Sequence, residues 1–353
     1  MKIRLTSNER IKRTFEHKDA DRVPILEKPW LATLERWRKE GLPEDVPLWQ
    51  FFDTDFLARI TVDNSPQYPK EVIEETEEYK IIKTEWGATM KDWKHSATVP
   101  EFLDFTITTP DSWREAKKRM VPTSDRINWD LLKYEYPKWK KLGAWIQGIF
   151  WFGFDVTHSW AVGTERVLMA MVENPEWVRD MFNHYLEVSM ALFEQVWNAG
   201  YEFDSVFWYD DMGYKLNQFF SVGMYREMLK PYHKRAADWA HSRGIKVHMH
   251  SCGDIRPFIP DLIDLGVDCL NPLEVKAGID PIELKKLYGD KLVFHGGISA
   301  LSWEDKNVIC KEIKEVVPVM KQNGGYIFAT DHSVPSSVSL QDYRDIVELV
   351  KKI

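Results

Sequence analysis

The densest chemistry in this chain lies in the run Val247-His248-Met249-His250-Ser251-Cys252-Gly253. Side chains alternate along a strand, so His248, His250 and Cys252 fall on one face if the strand extends that far. His250 and Cys252, one residue apart, can then grip a single cation. An imidazole nitrogen and a thiolate sulfur suit zinc, which needs at least one further protein ligand. Asp331 or His332, far along the chain in Ala329-Thr330-Asp331-His332, could close the site and leave one position open. His248 also reads as an interior, hydrogen-bonded residue. Cys269 sits in an apolar run and reads as core, and Cys310 reads as helix packing or surface.

Other reactive side chains gather in the same way. Asp210-Asp211 follows the run 204–209, and His250 follows Lys246–Met249. Asn271-Pro272-Leu273-Glu274 follows Val267–Leu270, and His295-Gly296-Gly297 follows Lys291–Phe294. With Thr330-Asp331-His332 after Tyr326–Ala329, five successive apolar runs end in acids, imidazoles or a thiol, a grouping that scattered surface polarity would not produce. Asp210 and Asp211 are neighbours and must diverge, so one of them serves the site as base, anchor or support. Glu274 and His295 are candidates for substrate contact or proton handling. Together Asp210, Asp211, Glu274 and His295 form the expected catalytic set.

Short strands alternating with helices would position these ends. Apolar runs at 23–26, 56–62, 144–149, 204–209, 246–249, 267–270, 291–294 and 326–329 number eight. Helix-length segments such as 175–199 and 224–243 separate most of them. This alternation predicts βαβ units in a parallel sheet, closed as an α/β (β/α)8 TIM barrel, with reactive residues at the C-terminal ends of the strands. No glycine-rich phosphate loop follows an early strand, so a nucleotide-binding open sheet has no support. A hairpin is expected at Tyr79–Thr84 and Ala88–Trp93, turning at Trp86-Gly87. Ser7 is the expected cap of a first helix. The chain reads as one domain over 1–353, with residues 1–70 partly a helical and irregular N-terminal extension.

Composition agrees. With 353 residues, 44% hydrophobic and 29% charged, a packed core is expected. A net charge of −8 argues against nucleic acid as the main partner. The N-terminal stretch is too charged for a signal peptide, and no run reaches the ~18–20 apolar residues of a membrane span. Three cysteines in a chain of this length point to a reducing, cytoplasmic setting. Sixteen tryptophans are mostly packing, with some, such as Trp151 or Trp208, available to line a pocket for a flat ligand.

The segments Arg13-Thr14-Phe15-Glu16-His17 with Asp21-Arg22-Val23-Pro24, His250-Ser251-Cys252-Gly253, Asn271-Pro272-Leu273-Glu274, and Gly324 through His332 resemble the uroporphyrinogen decarboxylase superfamily. The resemblance implies a (β/α)8 barrel. True decarboxylases carry an Arg-Gln-Ala-Gly-Arg segment where this chain has Leu26-Glu27-Lys28-Pro29-Trp30-Leu31-Ala32, which speaks against a porphyrinogen with its many carboxylates. The cobalamin-dependent methyltransferase branch binds zinc through a His-x-Cys pair and a distant cysteine. His250 and Cys252 match the pair. No cysteine stands near Asp331 or His332, so the third ligand would be oxygen or nitrogen and the zinc a stronger Lewis acid. This departure is similar to O-demethylase methyltransferases. It implies transfer of a methyl group from a small-molecule methoxylated, aromatic donor to the corrinoid (cobalamin) of a partner protein, with a homodimer as the family-level assembly. Three alternatives remain: methyl transfer from methylcobalamin to a thiol or folate, porphyrinogen-type decarboxylation, and non-catalytic binding of a metal or corrinoid.

Overall fold

Alternating inner and outer side chains build the sheet described by the computed structural model, which covers residues 4–94, 100–215 and 217–353. Seven parallel strands stand side by side in chain order. They are Leu57–Ile60, Trp145–Ile149, Ser205–Tyr209, Lys246–His250, Cys269–Asn271, Val293–His295 and Tyr326–Ile327. Residues 23–26 take the eighth position. Ile25 bridges Phe328 in parallel on one side. On the other its carbonyl accepts from Asp55 N, just ahead of Leu57. The sheet therefore closes into a (β/α)8 barrel, and the eight expected runs are its eight strands.

The closure is pinned by charge. Asp55 is buried and takes Arg10 Nη1 at 2.5 Å, Arg22 Nη1 at 2.6 Å and the Ile25 amide at 2.8 Å. Pro24 lacks a donor but still contributes its carbonyl, which accepts from Phe328 N at 2.8 Å. Helix Ser7–Phe15 plugs the lower end of the barrel. Its Ile11 and Phe15 pack on the inward residues Trp145, Cys269, Val293 and Ile327. The helix is capped one residue earlier than expected. Thr6 and Glu9 form a reciprocal capping box, while Ser7 Oγ accepts from Phe56 N. Residues 1–70 thus supply two barrel strands as well as the helices Ser7–Phe15 and Leu31–Lys39.

The main departure from βα alternation is an antiparallel sheet of Glu71–Glu75, Tyr79–Lys83, Ala88–Trp93 and Glu101–Phe105. It contains the expected hairpin. Gly87 at the turn has φ +89°, and a Cβ there would come within 2.9 Å of Thr106 and Tyr68. Among the described residues no helix is long and apolar enough to cross a membrane.

Candidate metal centre at the barrel mouth

His250 ends its strand, and its partner across the ladder is Asn271, the last residue of Cys269–Asn271. Asn271 Nδ2 donates to the His295 carbonyl at 3.0 Å, which fixes the direction of the amide. Its Oδ1 must then face His250 and accept the proton on Nδ1. This assigns the tautomer and leaves Nε2 with a free lone pair, the usual arrangement for a metal-binding imidazole. Nε2 lies 3.3 Å from Cys252 Sγ and 3.7 Å from Asp211 Oδ1.

The loop beyond His250 is tied from both sides. Asp211 Oδ1 accepts from the Cys252 amide at 2.7 Å, and Glu274 Oε2 accepts from the Gly253 amide at 2.7 Å. Gly253 has φ +78°, and a Cβ there would lie 2.2 Å from the Gly213 carbonyl carbon, so only glycine allows this turn. Two sets of ligand atoms result, each within 4.8 Å of one another. One joins Asp211, His250 and Cys252; the other joins Cys252, Glu274 and His332. Cys252 is common to both.

Charge makes the same point. Burial pushes the Cys252 thiol up, and Asp211, Glu274 and Asp155 push it further, with Lys276 opposing. A thiol among carboxylates is poorly suited to ionise alone, whereas a divalent cation would draw off its proton and balance the acids. Imidazole, thiolate and carboxylate together are a zinc donor set.

Several expected site residues stand elsewhere. Asp331 was one of two candidates for the third ligand. It is 2% exposed, and its oxygens accept from the backbone amides of Val275 at 2.9 Å and Ala300 at 2.8 Å. It ties two mouth loops together, and His332 is the neighbour within reach of Cys252. Asp210 turns away from the mouth. Its Oδ2 pairs with His233 Nε2 at 2.6 Å and its Oδ1 accepts from Asp155 N. The divergence of Asp210 and Asp211 therefore leaves Asp211 at the site. His295, expected to meet substrate, lies lower in the barrel. Its Nε2 donates to the Leu26 carbonyl and its Nδ1 accepts from His248 Nε2, while His248 Nδ1 accepts from Gln147. Burial lowers the pKa of both imidazoles, that of His295 to about 4, so the chain of rings is neutral. Trp208 is fully buried behind the barrel wall against Phe152 and His233.

Asp155 escaped sequence reasoning. It follows the strand Trp145–Ile149 by several residues, on an irregular turn begun by Gly153. A Cβ on Gly153 would meet Asp210 Oδ2 at 2.2 Å, an approach that the glycine alone does not reveal in the sequence. Burial, then Asp211 and Asp210, hold its carboxyl well above the usual range.

Beside the mouth a cavity of about 770 Å³ opens under the antiparallel sheet, lined by Val62, Trp86, Met90, Trp151 and Trp160 among others. Trp151 stacks on Tyr209 at 5.8 Å between centroids, and Tyr209 meets the His250 ring edge-on at 4.9 Å. Aromatic faces thus run from the cavity to the candidate ligand.

The family model "Uroporphyrinogen decarboxylase (URO-D)" matches residues 157–353. A uroporphyrinogen decarboxylase of Helicobacter pylori (strain P12) is 33% identical over 85 residues, which is 24% of this chain and 22% of that protein. The match therefore spans about a fifth of that relative's length. A solved methyltransferase from Methanosarcina mazei superposes with a TM-score of 0.68 over 99% of both chains at 16% identity, a likeness of fold.

Proposed function

The chain belongs to the uroporphyrinogen decarboxylase family, and from that premise we propose that it is a zinc-dependent methyltransferase of the cytoplasm that moves a methyl group from a methoxylated aromatic compound to the cobalt of a corrinoid protein. The observation that carries the reading is the pairing of His250 Nε2 and Cys252 Sγ, 3.3 Å apart at the barrel mouth, beside an aromatic-lined cavity. A methyltransferase of the same fold supports it.

His250 and Cys252 would hold the zinc, with His332, Glu274 or Asp211 completing the set. A zinc ion held there would supply Lewis acidity toward an ether oxygen. The chain's own residues do the rest. Asn271 aims the imidazole. Asp211 and Glu274 hold the Cys252–Gly253 amides and so fix the thiol. Trp151 and Tyr209 offer flat faces to the donor's ring. Asp155, whose carboxyl is held well above the usual range by burial and by Asp211 and Asp210, would be the proton donor for the departing oxygen. A corrinoid carrier would dock over the barrel mouth and present its cobalt to the methyl group.

The test is methyl transfer from a panel of aryl methyl ethers to free cob(I)alamin, followed by the methylcobalamin spectrum. Zinc-replete protein should form methylcobalamin and release the phenol, and Cys252→Ala should not. Thiol methylation from methylcobalamin, with every ether inert, would reverse the assigned direction. Full activity in Cys252→Ala would refute the metal's part.

A further inference from the structure

The segment that carries Asp155 is built in an uncommon way. After the strand Trp145–Ile149 the chain turns at Gly153 and runs on as a π-helix over Val156–Val162. Such wide turns are rare and gather at functional sites. This one brings three groups together. His158 Nε2 is 3.6 Å from Asp155 Oδ1, and Ser159 Oγ donates to that same oxygen at 3.3 Å. The other ring nitrogen, His158 Nδ1, accepts from Thr164 Oγ1 at 2.9 Å. Thr164 opens the next helix, Thr164–Glu173.

The imidazole is held by apolar faces. It stacks on Phe154 at 4.3 Å between centroids and leans on Phe219 at 5.5 Å. The side chains of His158 and Asp155 are only 10% and 13% exposed. Burial lowers the pKa of His158 to about 4, against the charge of Asp211, so the ring is neutral. Asp211 and Asp210 are the charged groups that act on Asp155. Thr164 lines a second cavity, of about 590 Å³, whose lining shares no residue with the mouth set or with the aromatic cavity. Asp104, Glu165, Arg166 and Glu173 line it as well, and these charged groups keep it wet. Donors and acceptors thus run from the mouth acid, through one imidazole, to separate water.

We propose that His158 and Thr164 form a proton relay that reloads Asp155 from the second cavity. The need for it rests on the proposed function, in which Asp155 is the acid for the departing oxygen. Demethylation of an aryl ether breaks the C–O bond and puts the methyl group on the carrier, whose Co(I) supplies the electron pair. The oxygen takes up one proton, so each turnover leaves Asp155 as a carboxylate. His158 then gives its Nε2 proton to Asp155, Nδ1 takes the proton of the Thr164 hydroxyl, and the threonine recovers one from water in the second cavity. Ser159 Oγ, 3.4 Å from Nδ1 and 3.3 Å from Nε2, stands where it would return the ring to its first tautomer. A neutral ring suits this task, because it passes a proton without lodging a charge between two phenylalanines. A path through the wall also serves while substrate and carrier cover the mouth.

Rapid-quench assays with zinc-replete protein, an aryl methyl ether and cob(I)alamin separate the first turnover from the steady state. The first turnover uses the proton already on Asp155. His158→Gln and Thr164→Val should therefore keep the first-turnover rate within about twofold and slow the steady state about tenfold. Added imidazole should restore much of the steady rate in His158→Gln, and Asp155→Asn should slow the first turnover too. Equal slowing of both phases in His158→Gln would make the residue merely structural, and an unchanged steady state in both variants would overturn the relay. NMR of the histidine ring nitrogens, with no ether present, keeps the relay and the reaction apart. The His158 signals, identified by their loss in His158→Gln, should be those of a neutral ring at neutral pH. Nδ1 should shift in Thr164→Val and Nε2 in Asp155→Asn. A protonated ring, or one indifferent to both substitutions, would overturn the relay whatever the reaction. The expected NMR pattern in a protein that demethylates no ether would sink the proposed reaction and leave the proton path in place.

Discussion

Asn271 takes the Nδ1 proton of His250 on its Oδ1 while its Nδ2 is held by the His295 carbonyl. One amide thus fixes both the tautomer and the direction of the imidazole. Replacing it by Leu should lower zinc affinity about ten- to a hundredfold with the three proposed ligand types untouched. Asn271→Asp, which keeps an acceptor, should retain most of it. Competition with a chelating dye measures this, and unchanged affinity in Asn271→Leu would remove Asn271 from the account.

Asp331 and His332 should separate cleanly. Asp331→Ala leaves two backbone amides without their acceptor and should cost about 2–4 kcal/mol in stability. Zinc should still bind to the folded fraction. His332→Ala should leave the metal-free stability nearly unchanged and weaken zinc. Thermal melts and metal content of both variants decide the matter, and the reverse pattern would return Asp331 to the metal.

These two residues also show what the sequence could and could not convey. All eight barrel strands were legible, because each is an apolar run that stops at polar residues where the barrel opens. The His250–Cys252 pair was legible because its spacing matches strand alternation. Asp331 was not separable from His332, since adjacent residues diverge and only the fold says which way. The place of His295 in a buried hydrogen-bond chain was not legible, because a polar residue near a strand end can serve such a chain as readily as a substrate. Asp155 stayed hidden because it lies beyond its strand on an irregular turn.

Glu27 makes stability depend on pH. Burial pushes its carboxyl from the ordinary 4.5 up to about 8, against hydrogen bonds from the Thr330 and Lys28 amides. Between those values the unfolded chain releases a proton that the folded chain keeps, so stability from this group falls as pH rises through the window. Glu27→Gln should remove that fall. Denaturant unfolding of both proteins at pH 5 and pH 8 should show the variant gaining on the parent as pH rises. A constant difference would contradict the assignment.

Trp151 joins the cavity to Tyr209 and, through it, to His250. Its carbonyl also accepts from Asn64, a contact that survives side-chain replacement. Trp151→Leu should raise the KM for an aryl ether about two- to tenfold. Zinc content should not change. An unaltered KM would mean that the donor binds elsewhere.

The central claim is that His250 and Cys252 hold a metal, and elemental analysis of the purified protein by mass spectrometry tests it most directly. The account predicts one equivalent of zinc in the parent protein and its loss in both His250→Ala and Cys252→Ala, with circular dichroism unchanged. No stoichiometric metal in the parent, or full zinc in Cys252→Ala, would contradict it.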